Sequence, residues 1–235
     1  GCGAGGWSIG AALAGLDVLG GIDGCPAAVA TYRTNHPHHQ TLVADITNLA
    51  LVAATIRRWM LRWGRGRQLV LLASPPCQPF SLSGRGVRPG DPRLDVAMAV
   101  AALAVELGAS CVLMENVPRF GRSVQWACAA QLLQSHGFGT DVAEVDSARL
   151  GLPQRRRRVI AFAVRGGTAC SVAPAAAAAA AQPITVIADF FPSCTHYYHM
   201  HRTSAGPCIY DAATTPTPTL RTNCSYFPRT AAAYR

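Results

Sequence analysis

Apolar and polar positions alternate along this chain in blocks rather than residue by residue. Trp7 to Leu16 has the spacing of an amphipathic helix. Val18 to Ile22 is a short apolar strand ending at Asp23, Pro26 to Tyr32 a helix with proline in its first turn, and Thr41 to Ala44 a strand ending at Asp45. Leu49 to Trp63 suits a helix, and Leu69 to Ala73 a compact buried strand that stops at Ser74-Pro75-Pro76-Cys77-Gln78-Pro79. A Gly/Arg-rich loop to Arg93 leads into a long Ala/Val/Leu helix, Leu94 to Leu107. The strand Cys111 to Met114 then ends at Glu115-Asn116-Val117-Pro118. Unbroken apolar strands alternating with helices predict an α/β fold, a parallel sheet covered by helices on both faces. Ligands bind such sheets at the carboxyl ends of the strands. Asp23, Asp45, Cys77 and Glu115 each fall at or just beyond such an end, so the pattern gathers four reactive side chains on one rim.

Composition narrows the class. Half of the 235 residues are hydrophobic and 14% are charged, which suits one substantial α/β domain with a small appendage. No apolar run is long enough to span a membrane, and no signal peptide opens the chain, so an intracellular protein is expected: nuclear in a eukaryote, cytoplasmic in a prokaryote. The net charge of +9 is carried by arginine and favours an anionic partner. The nine cysteines stand singly, without a CxxC pair, which argues against a disulfide framework or a zinc ribbon. His196, His199 and His201 are unevenly spaced and lack a cysteine or carboxylate partner, so contact with an anionic partner or plain exposure is expected there, and no metal. Seven alanines between Pro174 and Pro183 read as a linker or surface insertion. The organisation expected is therefore a main domain over 1–172, a linker over 173–183 and a smaller region over 184–235.

Four segments carry candidate chemistry. Gly1, Gly3 and Gly6 satisfy G-x-G-x-x-G, with Asp23 at the distance expected for an acid on a ribose; NAD, FAD and S-adenosylmethionine fit this segment about equally. A cysteine directly after two prolines at a strand end is held rigidly, as a nucleophile must be, and needs help to ionise. Glu115 ends the neighbouring strand, where a lone acid could equally cap a helix or sit in a solvated loop. Gln154-Arg155-Arg156-Arg157-Arg158 precedes the apolar strand Val159 to Val164. Alternation in a strand would put Arg156 and Arg158 on one face and Arg155 and Arg157 on the other.

In this order, the glycine turn, Pro-Pro-Cys-Gln, Glu-Asn-Val and Gln-x-Arg-x-Arg resemble the cytosine-C5 DNA methyltransferase family, over nearly the whole chain. The resemblance implies a Rossmann-like S-adenosylmethionine-dependent fold. It also implies methyl transfer to C5 of a flipped-out cytosine in DNA through a covalent bond from Cys77 to C6. Glu115 would bind N3 and the exocyclic amine; Arg158, and less directly Arg156, the O2 side. Gly3, Gly5 and Gly6 would hold the methionine moiety, Asp23 the ribose and Asp45 the adenine amino group. Ile46 would pack on the adenine ring, with Pro76 and Val96 lining the pocket. The loop from Ser81 to Arg93 resembles the one that closes over the base, and Gln78, Ser81, Ser83 and Arg221 are the expected DNA contacts. Tyr197 to Phe227 resembles the target-recognition region, present here in part. The partner expected is duplex DNA, and the protein monomeric.

The family normally opens with an apolar strand ending in Phe and closes with helices that return to the cofactor side. Against that pattern the chain reads as a fragment cut at both ends, with a weakened cofactor pocket in which Gly24 replaces a larger adenine-packing residue. A tRNA cytosine-C5 methyltransferase of the same fold is the alternative, disfavoured because Ser81 stands where the RNA-directed branch has Thr. A non-catalytic DNA-binding remnant is the other, opposed by the intact Cys77, Glu115 and Arg158. A nicotinamide oxidoreductase has no use for Pro-Pro-Cys-Gln.

Overall fold

The computed structural model describes residues 1–64, 66–80, 90–167, 178 and 181–184, together with the backbone of 194–200, 207–211, 216–218 and 226–230. It divides into two compact units, Gly1–Ala143 with Val159–Val172, and Glu144–Arg158 with Ala173–Arg235.

The first unit opens with α1 (Gly6–Leu13), β1 (Gly20–Asp23), α2 (Pro26–Asn35), β2 (Gln40–Val43), α3 (Leu49–Trp63) and β3 (Val70–Ala73). α4 (Val96–Glu106), β4 (Cys111–Asn116) and α5 (Val124–Ser135) follow, and then β5 (Phe138–Asp146), which continues past the unit boundary. β1 and β2 pair in parallel. β3 and β4 do the same within a four-stranded sheet of order β3-β4-β7-β5, where β7 is Arg157–Arg165. The expectation of a wholly parallel sheet needs correction here: β7 runs antiparallel to β4, with Glu115 opposite Ile160 and Asn116 opposite Val159. Beyond α5 the chain enters β5, which lies beside β7 in the sheet, and residues 147–156 connect the two.

The helices follow from their sequences. In α3, Val52, Ala53, Ile56 and Trp59 recur at helical spacing and are buried, and the Asn48 side chain accepts from the Leu51 N–H at 3.3 Å to cap the first turn. α4 is apolar on nearly every face, as a helix enclosed by its neighbours must be, and it packs on both α3 and α5. The main core gathers Val100, Ala104, Val112, Met114, Phe120, Leu133 and Ala161 around it.

β1 begins with two glycines for a packing reason. A Cβ on Gly20 would lie 2.3 Å from the Gln40 carbonyl oxygen, and one on Gly21 would lie 2.7 Å from the ring of the fully buried Tyr32. β1 and β3 end their respective sheets, and an apolar cavity of about 380 Å³ is lined by both, with Trp59 of α3 and Leu103 of α4.

In the second unit, β8 (Cys194–Met200), β9 (Pro207–Asp211) and β11 (Tyr226–Thr230) form an antiparallel sheet of order β11-β8-β9. β6 (Gln154–Arg155) pairs in parallel with β10 (Thr217–Pro218). No helix among the described residues is long and apolar enough to cross a membrane.

Candidate active site

The glycine turn is built around Asp23. Its Oδ2 accepts the Gly3 N–H and its Oδ1 the Cys25 N–H, both at 2.9 Å, so the last residue of β1 ties the turn to the start of α2. The Cys2 N–H donates to the Ile22 carbonyl, which lays the turn along the end of β1. Gly3 and Gly5 have φ of +52° and +100°, a region that glycine enters without cost, and the left-handed Gly5 starts α1. Space is open where a Cβ on Gly3 or Gly6 would stand. Each carboxylate oxygen of Asp23 retains a second lone pair beyond these bonds.

Asp45, just past β2, is exposed, and its Oδ1 accepts both the N–H and the hydroxyl of Thr47, at 2.9 and 2.8 Å. These bonds, the backbone one foremost, hold its carboxyl below the usual aspartate range. Ile46 is half-buried and packs against both apolar clusters of the first unit.

The Pro-Pro-Cys-Gln loop is held from below. Pro75, Pro79 and Phe80 are buried while Cys77 and Gln78 are exposed, and the Phe80 N–H donates to the Cys77 carbonyl to close a turn. Asn116, 1% exposed, donates from Nδ2 to the Pro75 carbonyl at 3.0 Å, and its Oδ1 accepts the Val117 N–H. β4 alternates half-buried and buried residues, so Glu115 faces away from Asn116 on a strand next to the one that delivers Cys77. Pro76 is half-buried beside the cysteine, and half-buried Val96 opens α4.

These parts form one rim. The Trp7 indole N–H, directly after the glycine turn, donates to Ser74 Oγ at 2.9 Å. A chain of contacts therefore runs from Asp23 through the turn and Trp7 to Ser74, Pro75 and Asn116. Sequence reasoning placed Asp23, Asp45, Cys77 and Glu115 on this rim but missed the roles of Trp7 and Asn116. An amide directly after Glu115, at the end of a strand that is otherwise apolar up to Met114, was the available signal for the latter.

The arginines belong to the second unit. A continuous strand through them does not form: β6 ends at Arg155 and β7 starts at Arg157, because the Arg156 N–H donates to the Asp146 carboxylate at 3.0 Å. Exposure still alternates, with Arg155 and Arg157 exposed and Arg156 and Arg158 half-buried. Arg157 pairs with Glu144 at 2.6 Å, and Arg158 donates to the Arg157 carbonyl. Ser81, Ser83 and Arg221 lie outside the described residues. No cluster of three or more metal-ligating side chains occurs among the described residues.

Residues 1–226 match the model of the C-5 cytosine-specific DNA methylase family. The chain belongs to that family. Its relatives include the type II methyltransferase M.HgiDI of Herpetosiphon aurantiacus, 28% identical over 93% of this chain and 69% of that protein. The type II methyltransferase M.AgeI of Thalassovita gelatinovora is 31% identical over 71% of this chain and 38% of its own length. Among solved structures, a mutant of DNMT2 from Spodoptera frugiperda superposes with a TM-score of 0.56 at 25% identity, over 71% of this chain and 48% of that one. The chain thus spans 69% of one of these relatives and less than half of the other two.

Proposed function

We propose that this chain methylates C5 of cytosine in duplex DNA, with Cys77 as the nucleophile. The observation that carries the reading is an exposed cysteine on a loop pinned by buried Asn116, with Glu115 at the end of the adjacent strand. In this mechanism the Cys77 thiolate attacks C6 of a cytosine turned out of the stack, forming an S–C6 bond and pushing an electron pair toward C5. Glu115 hydrogen-bonds N3 and the exocyclic amine, so the pair is accommodated without a bare negative charge. Arg158, with Arg156, binds the O2 side. S-adenosylmethionine, when bound, supplies the methyl group that C5 takes up. Loss of the C5 proton to a base returns the electron pair, and the S–C6 bond breaks to free Cys77.

The residues fit that cofactor: a glycine turn with open space at Gly3 and Gly6 and an acid at the end of β1 suit a methionine moiety and a ribose. Gly3, Gly5, Gly6 and Asp23 would hold these, with Asp45, Ile46, Pro76 and Val96 toward the base. Gln78, Ser81, Ser83 and Arg221 serve DNA, residues 173–183 link, and 184–235 supply part of the target recognition. The net charge of +9 suits a polyanionic substrate.

The test is transfer of labelled methyl groups to duplex DNA and, separately, to tRNA. Label in duplex cytosine C5 that disappears in Cys77→Ser supports the reading. Label in tRNA alone moves the substrate class to RNA, and Cys77→Ser turnover near that of the parent removes Cys77 as the nucleophile.

A further inference from the structure

The glycine turn is gripped from a side on which no motif lies. α2 ends at Asn35 and the chain turns through His36 to His39 before β2. The Asn35 Nδ2 donates to the Ala4 carbonyl at 2.9 Å, and the His36 Nε2 stands 3.3 Å from the Gly5 carbonyl. A carbonyl can only accept, so Nε2 carries the hydrogen. The His36 ring is itself fixed: it stacks on His39 at 4.8 Å with an interplanar angle of 5°, and it lies 4.7 Å from the Tyr32 ring. Tyr32 is anchored in turn, its hydroxyl bonding Ser8 Oγ of α1 at 2.7 Å and His39 Nδ1 at 3.0 Å. The fit is close enough to explain the glycine, because a Cβ on Gly5 would lie 2.1 Å from His36 Nε2.

From this geometry we propose that Asn35 and His36 are positioning residues for the cofactor, acting through the two carbonyls of the glycine turn. The inference rests on the cofactor reading above. A trans peptide points its C=O and N–H in opposite directions. Holding the Gly5 carbonyl toward His36 therefore aims the Gly6 N–H away from α2, at the first turn of α1, where amides lack partners within the helix. The Ala4 carbonyl, held by Asn35, fixes the preceding peptide in the same way. The Gly5 carbonyl also accepts the Ile9 N–H, and the Gly5 N–H donates to the Cys2 carbonyl, both at 3.0 Å, so the two side chains give each peptide a second hold. Without that hold the turn is looser, and more of it must be ordered when the cofactor binds.

Two variants separate the donor from its packing. His36→Phe keeps a ring against Tyr32 and His39 but removes the N–H, and Asn35→Asp keeps the shape but turns a donor into an acceptor facing the Ala4 carbonyl. Titration calorimetry with S-adenosylmethionine and S-adenosylhomocysteine should show Kd raised by about three- to tenfold in either variant, the size of one lost hydrogen bond. His36→Gln, which restores an N–H donor, should recover part of it. Thermal midpoints should stay near the parent for Asn35→Asp, because Asn35 is exposed. Affinities equal to the parent in both variants overturn the inference alone, whereas no binding by the parent removes the cofactor reading and this inference with it. A Kd change that only follows the loss of thermal stability, without recovery in His36→Gln, also overturns it and leaves these residues a structural role.

Discussion

The two halves of the rim are held in different ways. On the nucleophile side, Asn116 is almost wholly enclosed, Pro75, Pro79 and Phe80 are buried, and Phe80 meets Phe120 edge-on at 5.3 Å within the main core. On the cofactor side, the turn rests on a two-stranded pairing and on bonds from Asp23, Asn35 and His36, of which the Asn35 and Cys25 bonds are exposed. Buried hydrogen bonds are costly to break because the orphaned group finds no water, whereas exposed ones exchange with solvent at small net cost. The proposed nucleophile, which would have to meet one carbon atom, gains from the first arrangement. A turn proposed to admit and release a cofactor gains from the second.

Three substitutions test that contrast on the nucleophile side and across the rim. The largest effect is expected from Cys77→Ser, which should abolish methyl transfer because the hydroxyl is a far poorer nucleophile. The exposed side chain carries little packing, so duplex binding and thermal stability should stay close to the parent. A large loss of stability would mean that the cysteine is a packing residue. Asn116→Ala comes next. It strands the Pro75 carbonyl in a buried site, at a cost of about 1–3 kcal/mol in denaturant unfolding, and it frees the loop that carries Cys77, so kcat should fall more than cofactor KM rises. If KM alone changed, the division of labour between the two halves would be wrong. Trp7→Phe keeps an aromatic ring and removes the bond to Ser74, the link between the halves. Its expected cost is about 0.5–1.5 kcal/mol, with kcat and cofactor KM both altered modestly. A change confined to one of them would show that the two sides are set independently.

How much of this was legible in the sequence depended on the range of the interaction. α3 has the bounds that Leu49 to Trp63 suggested, because its period and its cap are written in neighbouring residues. α5 and β5 went unread although Ser123 caps a run with Trp126, Ala129, Ala130 and Leu133 at helical spacing, so that omission was avoidable. The antiparallel β7 was not legible, since an apolar run does not record its direction. The carboxylates and the cysteine announced themselves by chemistry and by position at strand ends. Asn116 and His36 did not, because they act on partners 41 and 31 residues away that only the folded chain brings near. Motifs name the groups that react, while the groups that hold them are found in tertiary contacts.

The smallest effect concerns Asp45 and sharpens the contrast from the cofactor side. The Thr47 N–H and hydroxyl both stabilise its ionised form, which lowers the folded-state pKa below that of an unfolded aspartate. The sign follows by linkage: the ionised carboxylate favours the folded state above the unfolded pKa, and that contribution is lost as pH falls through the folded one. Asp45→Asn can still accept from Thr47 but carries no charge and does not titrate. Its thermal midpoint should therefore lie slightly below the parent near neutrality, and the gap should close as pH is lowered past about 4, the unfolded aspartate value. Because Asp45 is exposed, the gap should also shrink in high salt. A gap that is constant with pH would mean that Thr47 recognises the shape of the side chain and not its charge. The bond would then be an ordinary turn contact, with no bearing on the proposed presentation of Asp45 to an amino group.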